Sequence, residues 1–302
     1  GCFISKNNGV GGTFDNVSIT NSNFSNNLQK GMYFEALSNA TIDNITMNNS
    51  GTDPSYGFNN GIDINLKYGS YSNIVIQNST FTGCGANGIA GDVQNAAVIA
   101  IKGRDDAPSY NGNPAFLDDV EVKNNFISGP VNGLRLGEFG KINNSPTNVK
   151  INQNDLSHAF SNVSIVNRVN SNVDAECNWF GLTDFSSINS EIAVASGAVD
   201  FTSWLLNGTD EQAMIVGFQN TSCDGTPVAI VSSTSTPNQF CQNNGTITLT
   251  FSGGTGPYTV SWTGTTTGGP ISISSGVAFG TFMNGTYTFT VTDANGSTAS
   301  SS

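Results

Sequence analysis

Nine side chains could carry chemistry on a polymer: Asp63, Asp92, Arg104, Asp105, Asp106, Asp118, Asp119, Glu138 and Lys141. Inverting hydrolysis of a glycosidic bond needs two carboxylates with room for a water between them, one of them kept protonated. A β-elimination needs a cation held by several carboxylates and a base to take the proton. Arg104, Asp105, Asp106 and Tyr110 fall together in one polar stretch, Gly103–Pro114, a Tyr and acids beside Pro and Gly that suit contact with a sugar ring. A smaller stretch of the same kind, Thr52–Phe58, carries Asp53 and Tyr56. His158, the only histidine, sits in Leu156-Ser157-His158-Ala159-Phe160 with no acid beside it and reads as a corner residue rather than a base.

Five cysteines at irregular places make no paired Cys-x-x-Cys pattern, so a zinc site is not indicated. Cys2 and Cys84 read as small buried fillers. Cys223 and Cys241 flank a Ser/Thr/Pro-rich stretch and are the expected disulfide, with Cys177–Cys223 as the competing pairing. No cofactor motif is present; Ca²⁺ is the one ion the acidic balance would admit, without a motif to hold it.

The net charge is −12, with ten Lys and Arg and no basic cluster, which makes nucleic acid a poor partner. No run of 18 apolar residues exists, so no membrane span is expected. Charged residues are 11% of the chain, and Asn, Ser, Thr and Gly supply the polarity, a balance that fits an extracellular β-rich protein. The first residues, Gly1-Cys2-Phe3-Ile4, already read as part of a repeat, so the chain is expected to be a segment of a longer polypeptide.

The elements that must position these side chains are announced by repetition. Asn16–Phe24 reads Asn-Val-Ser-Ile-Thr-Asn-Ser-Asn-Phe, Asn73–Phe81 reads Asn-Ile-Val-Ile-Gln-Asn-Ser-Thr-Phe, and near-copies start at Asn44, Asp119, Asn148 and Asn172. The starts are 28, 29, 46, 29 and 24 residues apart, and each copy sets apolar residues two positions apart, the period of a half-buried strand. A second short strand follows in most copies, opened by Gly31, Gly61, Gly88 or Gly133. Strands recurring this way can pair in parallel with their copies at ~4.8 Å per layer. At least six such rungs are expected over residues 1–181, with Val17, Ile45, Ile74, Val120, Val149 and Val173 in one inward column. The Asn five residues into each copy suits the left-handed backbone of a corner, and Asp119 reads as a substitute for Asn.

From these repeats, residues 1–181 resemble the right-handed parallel β-helix family, and Asn178-Trp179-Phe180-Gly181 is similar to the Asn-Trp-Trp-Gly closing segment of bacterial surface members. The family includes pectin lyases, polygalacturonases and tailspike glycosidases. Of the polygalacturonase pattern, only an Asp-Asp pair is present here. Towards the end of the chain, Ser252-Gly253-Gly254-Thr255-Gly256-Pro257-Tyr258, Ser261-Trp262, Gly285-Thr286-Tyr287 and Val291–Gly296 resemble the SprB-type repeat of giant Bacteroidetes cell-surface adhesins, some of them acting in gliding motility. Where many copies of that module place a second Cys, this chain has Ser297, so the resemblance implies that Cys241 lacks its usual partner.

The expected fold is therefore all-β: a right-handed parallel β-helix with its cap over 1–221, a linker over 222–238, and a small Ig-like antiparallel β-sandwich over 239–302. The resemblance implies a secreted, extracellular cell-surface adhesin or filament segment without catalysis, whose partners are surface glycans, other cell-surface proteins and further repeats of the same polypeptide. The alternative is a polysaccharide lyase or glycoside hydrolase.

Overall fold

The computed structural model describes residues 1–6, 14–86, 95–220, 223, 225–237 and 243–302. Asp92, the strand expected at Gly88-Ile89, and Cys241 lie outside the described residues. The chain is all-β, with one short helix, α1 (Phe185–Ser190), among the described residues. It divides into two compact units, Gly1–Leu182 with Ile188–Cys223, and Thr183–Ser187 with Asp224–Ser302.

In the first unit the chain shuttles between two parallel sheets, one strand further along each sheet at every pass. Numbered along the chain, the first sheet holds β1 (Cys2–Ile4), β3 (Lys30–Phe34), β5 (Asn60–Leu66), β8 (Ala97–Gly103), β11 (Asn132–Leu136), β13 (Val163–Asn167) and β15 (Ile192–Val194). The second holds β2 (Asp15–Asn23), β4 (Ser38–Asn48), β6 (Gly69–Gln77), β9 (Ala115–Lys123), β12 (Thr147–Asn152), β14 (Val173–Asp174) and β16 (Val199–Asp200), with β7 (Thr80–Thr82) and β10 (Phe126–Ile127) continuing from β4. Because side chains alternate across a strand, in-register stacking turns the period-two pattern into continuous apolar columns. One column is Met32, Ile62, Ile99, Leu134 and Ile165; another is Ala40, Ile74, Val120, Val149 and Val173, every member buried. Each fully buried aliphatic side chain contributes roughly 1.5–3 kcal/mol, so the columns are the main source of this unit's stability.

The expected column is correct at Val17, Ile74, Val120, Val149 and Val173 and wrong at Ile45. Ala40, not Ile45, pairs with Val17 and Ile74, and Ile45 lies opposite Ser22. β4 contains two consecutive Asn-led segments, and Asn39 rather than Asn44 is in step with Asn16 and Asn73. The corners explain the Asn residues. Asn16, Asn39, Asn73, Asp119 and Asn148 all have φ between 46° and 63°, as do Asn21, Asn44, Asn78, Asn124 and Gln153 five residues later, and Cys177. Asn adopts this left-handed backbone at less cost than other L-residues, and its amide reaches along the stack: Asn44 Nδ2 donates to Asn21 Oδ1 at 2.6 Å and Asn73 Nδ2 to Asn39 Oδ1 at 3.1 Å.

Two further expectations change at the end of this unit. The repeat does not stop at 181, because β15 and β16 extend both sheets by one more pass. Phe180, Phe201, Trp204, Leu205 and Phe218 are then buried, with the rings of Phe201 and Trp204 6.1 Å apart. Gly217, at φ 102°, lets the backbone come close to a corner, where a Cβ would stand 2.2 Å from the Asn124 carbonyl oxygen. The disulfide is Cys177–Cys223, not Cys223–Cys241. Cys177 stands at a corner of the stack, and the returning chain delivers Cys223 to it across 46 residues of sequence. Closing a loop of that length stabilises by about 4 kcal/mol in the chain-entropy model. Cys177→Ser should lower the denaturation midpoint of this unit accordingly, while Cys84→Ala should cost much less. Urea titration of the oxidised variants followed by circular dichroism checks both.

The second unit consists of two antiparallel sheets. β17 (Ala229–Thr236), β18 (Gly245–Ser252) and β21 (Ala278–Phe282) form one, in the order β17-β18-β21. β19 (Tyr258–Gly264), β20 (Gly268–Ile273), β22 (Tyr287–Thr292) and β23 (Thr298–Ser301) form the other, in the order β20-β19-β22-β23. Val228, Leu249, Phe251, Val260, Phe282, Phe289 and Val291 make its core. The stretch expected as a linker is mostly strand: β17 pairs with β18 from Ala229–Ser252 to Thr236–Thr246. Its Ser and Thr face solvent along a sheet edge, so its sequence lacks the alternation that marks a half-buried strand. Asp293 fastens the turn before β23, its Oδ1 accepting from the Asn295 and Ser297 amides at 3.0 and 2.8 Å.

Candidate functional site

Met32, Ile62 and Leu134 point inward, so Tyr33, Asp63 and Arg135, one residue later in the same strands, share a register position on the opposite face of the first sheet. Two residues further along, Lys102 stands beside Asn65. Stacking brings these polar residues, distant in sequence, into one chain of charges. Lys30 Nζ lies 2.6 Å from Asp63 Oδ2, Lys102 Nζ 3.2 Å from Asp63 Oδ1 and 3.0 Å from Glu138 Oε2, and Arg104 Nη1 3.4 Å from the same Glu138 oxygen. Arg104 then grips Asp106 through two bonds, Nε to Oδ1 at 2.6 Å and Nη2 to Oδ2 at 2.9 Å.

This network is shielded from water. Asp63 and Arg135 are fully buried, Lys102 is 2% exposed and Glu138 7%. Burial would push the Asp63 carboxyl up, but Lys102, Lys30 and Arg135 outweigh it and hold it down at about 2. Burial also opposes ionisation of Glu138, and the cations Lys102, Arg135 and Arg104 bring it below its ordinary value. For Lys102 burial prevails, pulling the ammonium below its usual range against Asp63 and Glu138. Arg135 donates from Nε to the Asn95 carbonyl at 3.2 Å and from Nη1 to the Gly137 carbonyl, while its Nη2 has no hydrogen-bond partner among the described residues. A second cluster gathers on Glu35, which pairs with Lys67 and accepts from the Lys6 amide at 2.6 Å, the Tyr33 hydroxyl at 2.7 Å and the Ser5 hydroxyl at 2.9 Å.

Glu138 and Glu35 are ionised more readily in the folded chain than in the unfolded one, so their contribution is complete above the ordinary carboxylate range and lost as the pH falls from there through their lowered folded values. Stability of the first unit should therefore drop on acidification below about pH 5, and Glu138→Gln should flatten that dependence. Thermal melts across the acid range measure it.

The residues expected to contact a ligand are spent mainly on holding their own loop. Arg104 carries Tyr110 above it, its guanidinium 4.4 Å from the ring centre, and is bound to Asp106 and Glu138 as above. Asp105 accepts from Asn143 Nδ2 at 2.6 Å and from the amide and side chain of Asn144 at 2.9 and 2.6 Å, tying this loop to the one in the next rung. Asp118 accepts from Thr147 and Asn148, Asp119 is a left-handed corner, Lys141 reaches the Ala107 carbonyl at 3.4 Å, and His158 is exposed, edge-on to Phe160. Of the candidate acids, Asp63, Glu138 and Asp106 are joined in one network. Lys30, Lys102 and Arg135, which complete it, were not among the sequence candidates. A trace was present, since Tyr33, Asp63 and Arg135 each interrupt an apolar run at the same place after a Gly.

What the same face leaves open is a cleft of about 540 Å³ lined by Phe3, Leu28, Gln29, Lys30, Tyr33 and Tyr56, among others. Phe3, 67% exposed, stacks on Tyr33 at 4.7 Å, and Lys30 lies 4.2 Å from the Tyr33 ring centre and 5.7 Å from that of Tyr56. The loop Thr52–Phe58 thus delivers Tyr56 to the cleft, while its Asp53 is taken up by Ser55 and Gln29. Among the described residues no group of three or more His, Cys, Asp or Glu side chains is placed to hold a metal ion, and no helix is long and apolar enough to cross a membrane. Comparison with protein-family models, curated proteins and solved structures finds no match to this chain.

Proposed function

We propose that the chain is a segment of a secreted, extracellular cell-surface adhesin or filament, its first unit a right-handed parallel β-helix and its second an Ig-like sandwich of the SprB type, acting by binding and reach. One observation carries the reading: on the outer face of the first sheet Asp63, Lys102, Arg135 and Glu138 are buried in a network of opposite charges, while a cleft lined by Phe3, Lys30, Tyr33 and Tyr56 stays open. Aromatic faces beside a fixed ammonium suit the apolar face and hydroxyls of a sugar ring, which makes a surface glycan the favoured ligand. The Cys177–Cys223 bond fits an oxidising compartment. Titration of the purified protein with an oligosaccharide panel by calorimetry should yield a binder whose affinity falls at least about tenfold in Tyr56→Ala, the loss expected for removing one well-placed aromatic contact. No binder in the panel, or full affinity in that variant, would reject the reading.

The alternative, a polysaccharide lyase or glycoside hydrolase, draws on one different fact: Asp63 and Glu138, from separate rungs, meet at Lys102. Release of unsaturated or reducing ends from a polysaccharide, lost in Lys102→Met, would establish it.

A further inference from the structure

The Lys102, Asp63 and Glu138 triad does nothing in the adhesive reading, yet it has the composition and closeness of a condensing site. A single amine, Lys102 Nζ, lies within 3.2 Å of one carboxylate and 3.0 Å of a second, with side-chain exposures of 3%, 1% and 9% for Lys102, Asp63 and Glu138. We propose that Lys102 and Asp63 condense after folding into an intramolecular amide, Lys102 Nζ to Asp63 Cγ, cross-linking the neighbouring strands β5 and β8.

The step balances without oxidant or cofactor. A proton passes from the Lys102 ammonium to Asp63, giving a free amine and a carboxylic acid. The amine attacks Cγ and the N–C bond forms. Glu138 takes the proton that the nitrogen sheds and delivers it to the departing hydroxyl. The C–OH bond breaks, and one water leaves. Lys30, 2.6 Å from Asp63 Oδ2, faces the oxygen on which negative charge develops.

Burial makes the first transfer accessible. An ion pair taken out of water costs several kcal/mol per ion, and the neutral amine and acid escape that cost. Burial already pulls the Lys102 ammonium down, whereas Lys30, at 13% side-chain exposure, has only Asp63 as an ion-pair partner among the described residues. Three cations still hold Asp63 ionised in the resting network, so the bond is expected to form slowly. Fixing amine and acid in contact supplies an effective concentration of roughly 10⁵ M or more, and exclusion of water disfavours the reverse hydrolysis.

The inference is independent of what the protein binds. The test is the intact mass of the whole purified chain, unfolded, after incubation at neutral pH, with peptide mapping by tandem mass spectrometry. Wild type is expected to be one water lighter than its disulfide-bonded sequence mass, with a branched peptide joining Lys102 to Asp63. Lys102→Arg, which keeps the charge and cannot form this amide, should retain full mass. Glu138→Gln should form the bond at least tenfold more slowly, with circular dichroism confirming that both variants fold. A wild-type chain at full mass, a water loss that persists in Lys102→Arg, or a branch that maps to Lys30 would overturn the proposal. Water loss in Glu138→Gln at the wild-type rate would overturn the role of Glu138.

Discussion

Ile74→Asp should cost at least about 5 kcal/mol, as much as the whole margin of many domains, and leave the first unit largely unfolded at room temperature. Ile74 is fully buried in a column running from Val17 through Ala40, Val120 and Val149 to Val173, and Val120 is its direct register partner in β9. Its register partners on that face, Ala40 and Val120, are apolar and buried, and no ion pair or side-chain hydrogen bond among the described residues brings a cation there. An aspartate there must stay unpaired or take up a proton, and either route forfeits the burial of a large aliphatic group as well. The effect should spread, since each strand's partners are the strands above and below it. Far-UV circular dichroism and urea titration give the size of the loss, and Ile74→Val, expected to cost about 1 kcal/mol, serves as the control. A soluble Ile74→Asp protein with an unchanged midpoint would mean that the side chain is not in the core.

Alternation made the core legible before the structure did. Val17, Ile74, Val120, Val149 and Val173 can be placed from the sequence because a period of two, repeated at similar intervals, has only one inward face. The misplacement of Ile45 has a physical source. Asn39 is the corner in step with Asn16 and Asn73, but the residue after it is Ala40, which carries a weaker apolar signal than the Ile45 that follows Asn44. Intervals between corners also vary, 23 residues from Asn21 to Asn44 and 34 from Asn39 to Asn73, so spacing alone could not correct the choice. The charged network was less legible for a different reason. Lys30, Asp63, Lys102 and Glu138 come from successive passes of the chain, and only the register of the first sheet shows that they touch. Arg104, Asp105, Asp106 and Tyr110 were correctly grouped as one loop, but sequence could not show that three of them bond within it or to its neighbour. The disulfide assignment was misled by the Ser/Thr/Pro-rich stretch that Cys223 and Cys241 flank and by Ser297, which leaves Cys241 without its usual partner. Cys241 is nearer to Cys223 along the chain, while Cys177 is the one that folding brings within bonding distance.

Asn154→Leu should destabilise the first unit by about 5 kcal/mol although it adds apolar volume, because it breaks a ladder of amides inside the core. Asn125, Asn154 and Asn178 are fully buried one above another. Asn125 Nδ2 donates to Asn154 Oδ1 and Asn154 Nδ2 to Asn178 Oδ1, each at 3.0 Å, while the Asn125 and Asn154 backbone amides donate to the same two oxygens at 3.1 and 2.9 Å. Asn154 Nδ2 also satisfies the Val122 carbonyl at 2.9 Å. Ser79 begins the series, accepting from the Ile45 amide at 3.1 Å and giving its own amide to Asn125 Oδ1 at 3.1 Å. Removing the Asn154 amide leaves the Asn125 backbone N–H and side-chain N–H without an acceptor and takes a donor from Val122, at roughly 1–3 kcal/mol for each buried group. Asp, which keeps the acceptor oxygen and puts a second oxygen where the Asn154 Nδ2 donor stood, should recover part of the loss near the pH at which it is protonated and can donate to Asn178. A pH series of urea midpoints for Asn154→Leu and Asn154→Asp separates the two contributions. If Asn154→Leu proved as stable as wild type, the ladder would be a by-product of corner geometry; the expected loss, with recovery by Asp at low pH relative to wild type, would make these amides a second source of cohesion beside the apolar columns.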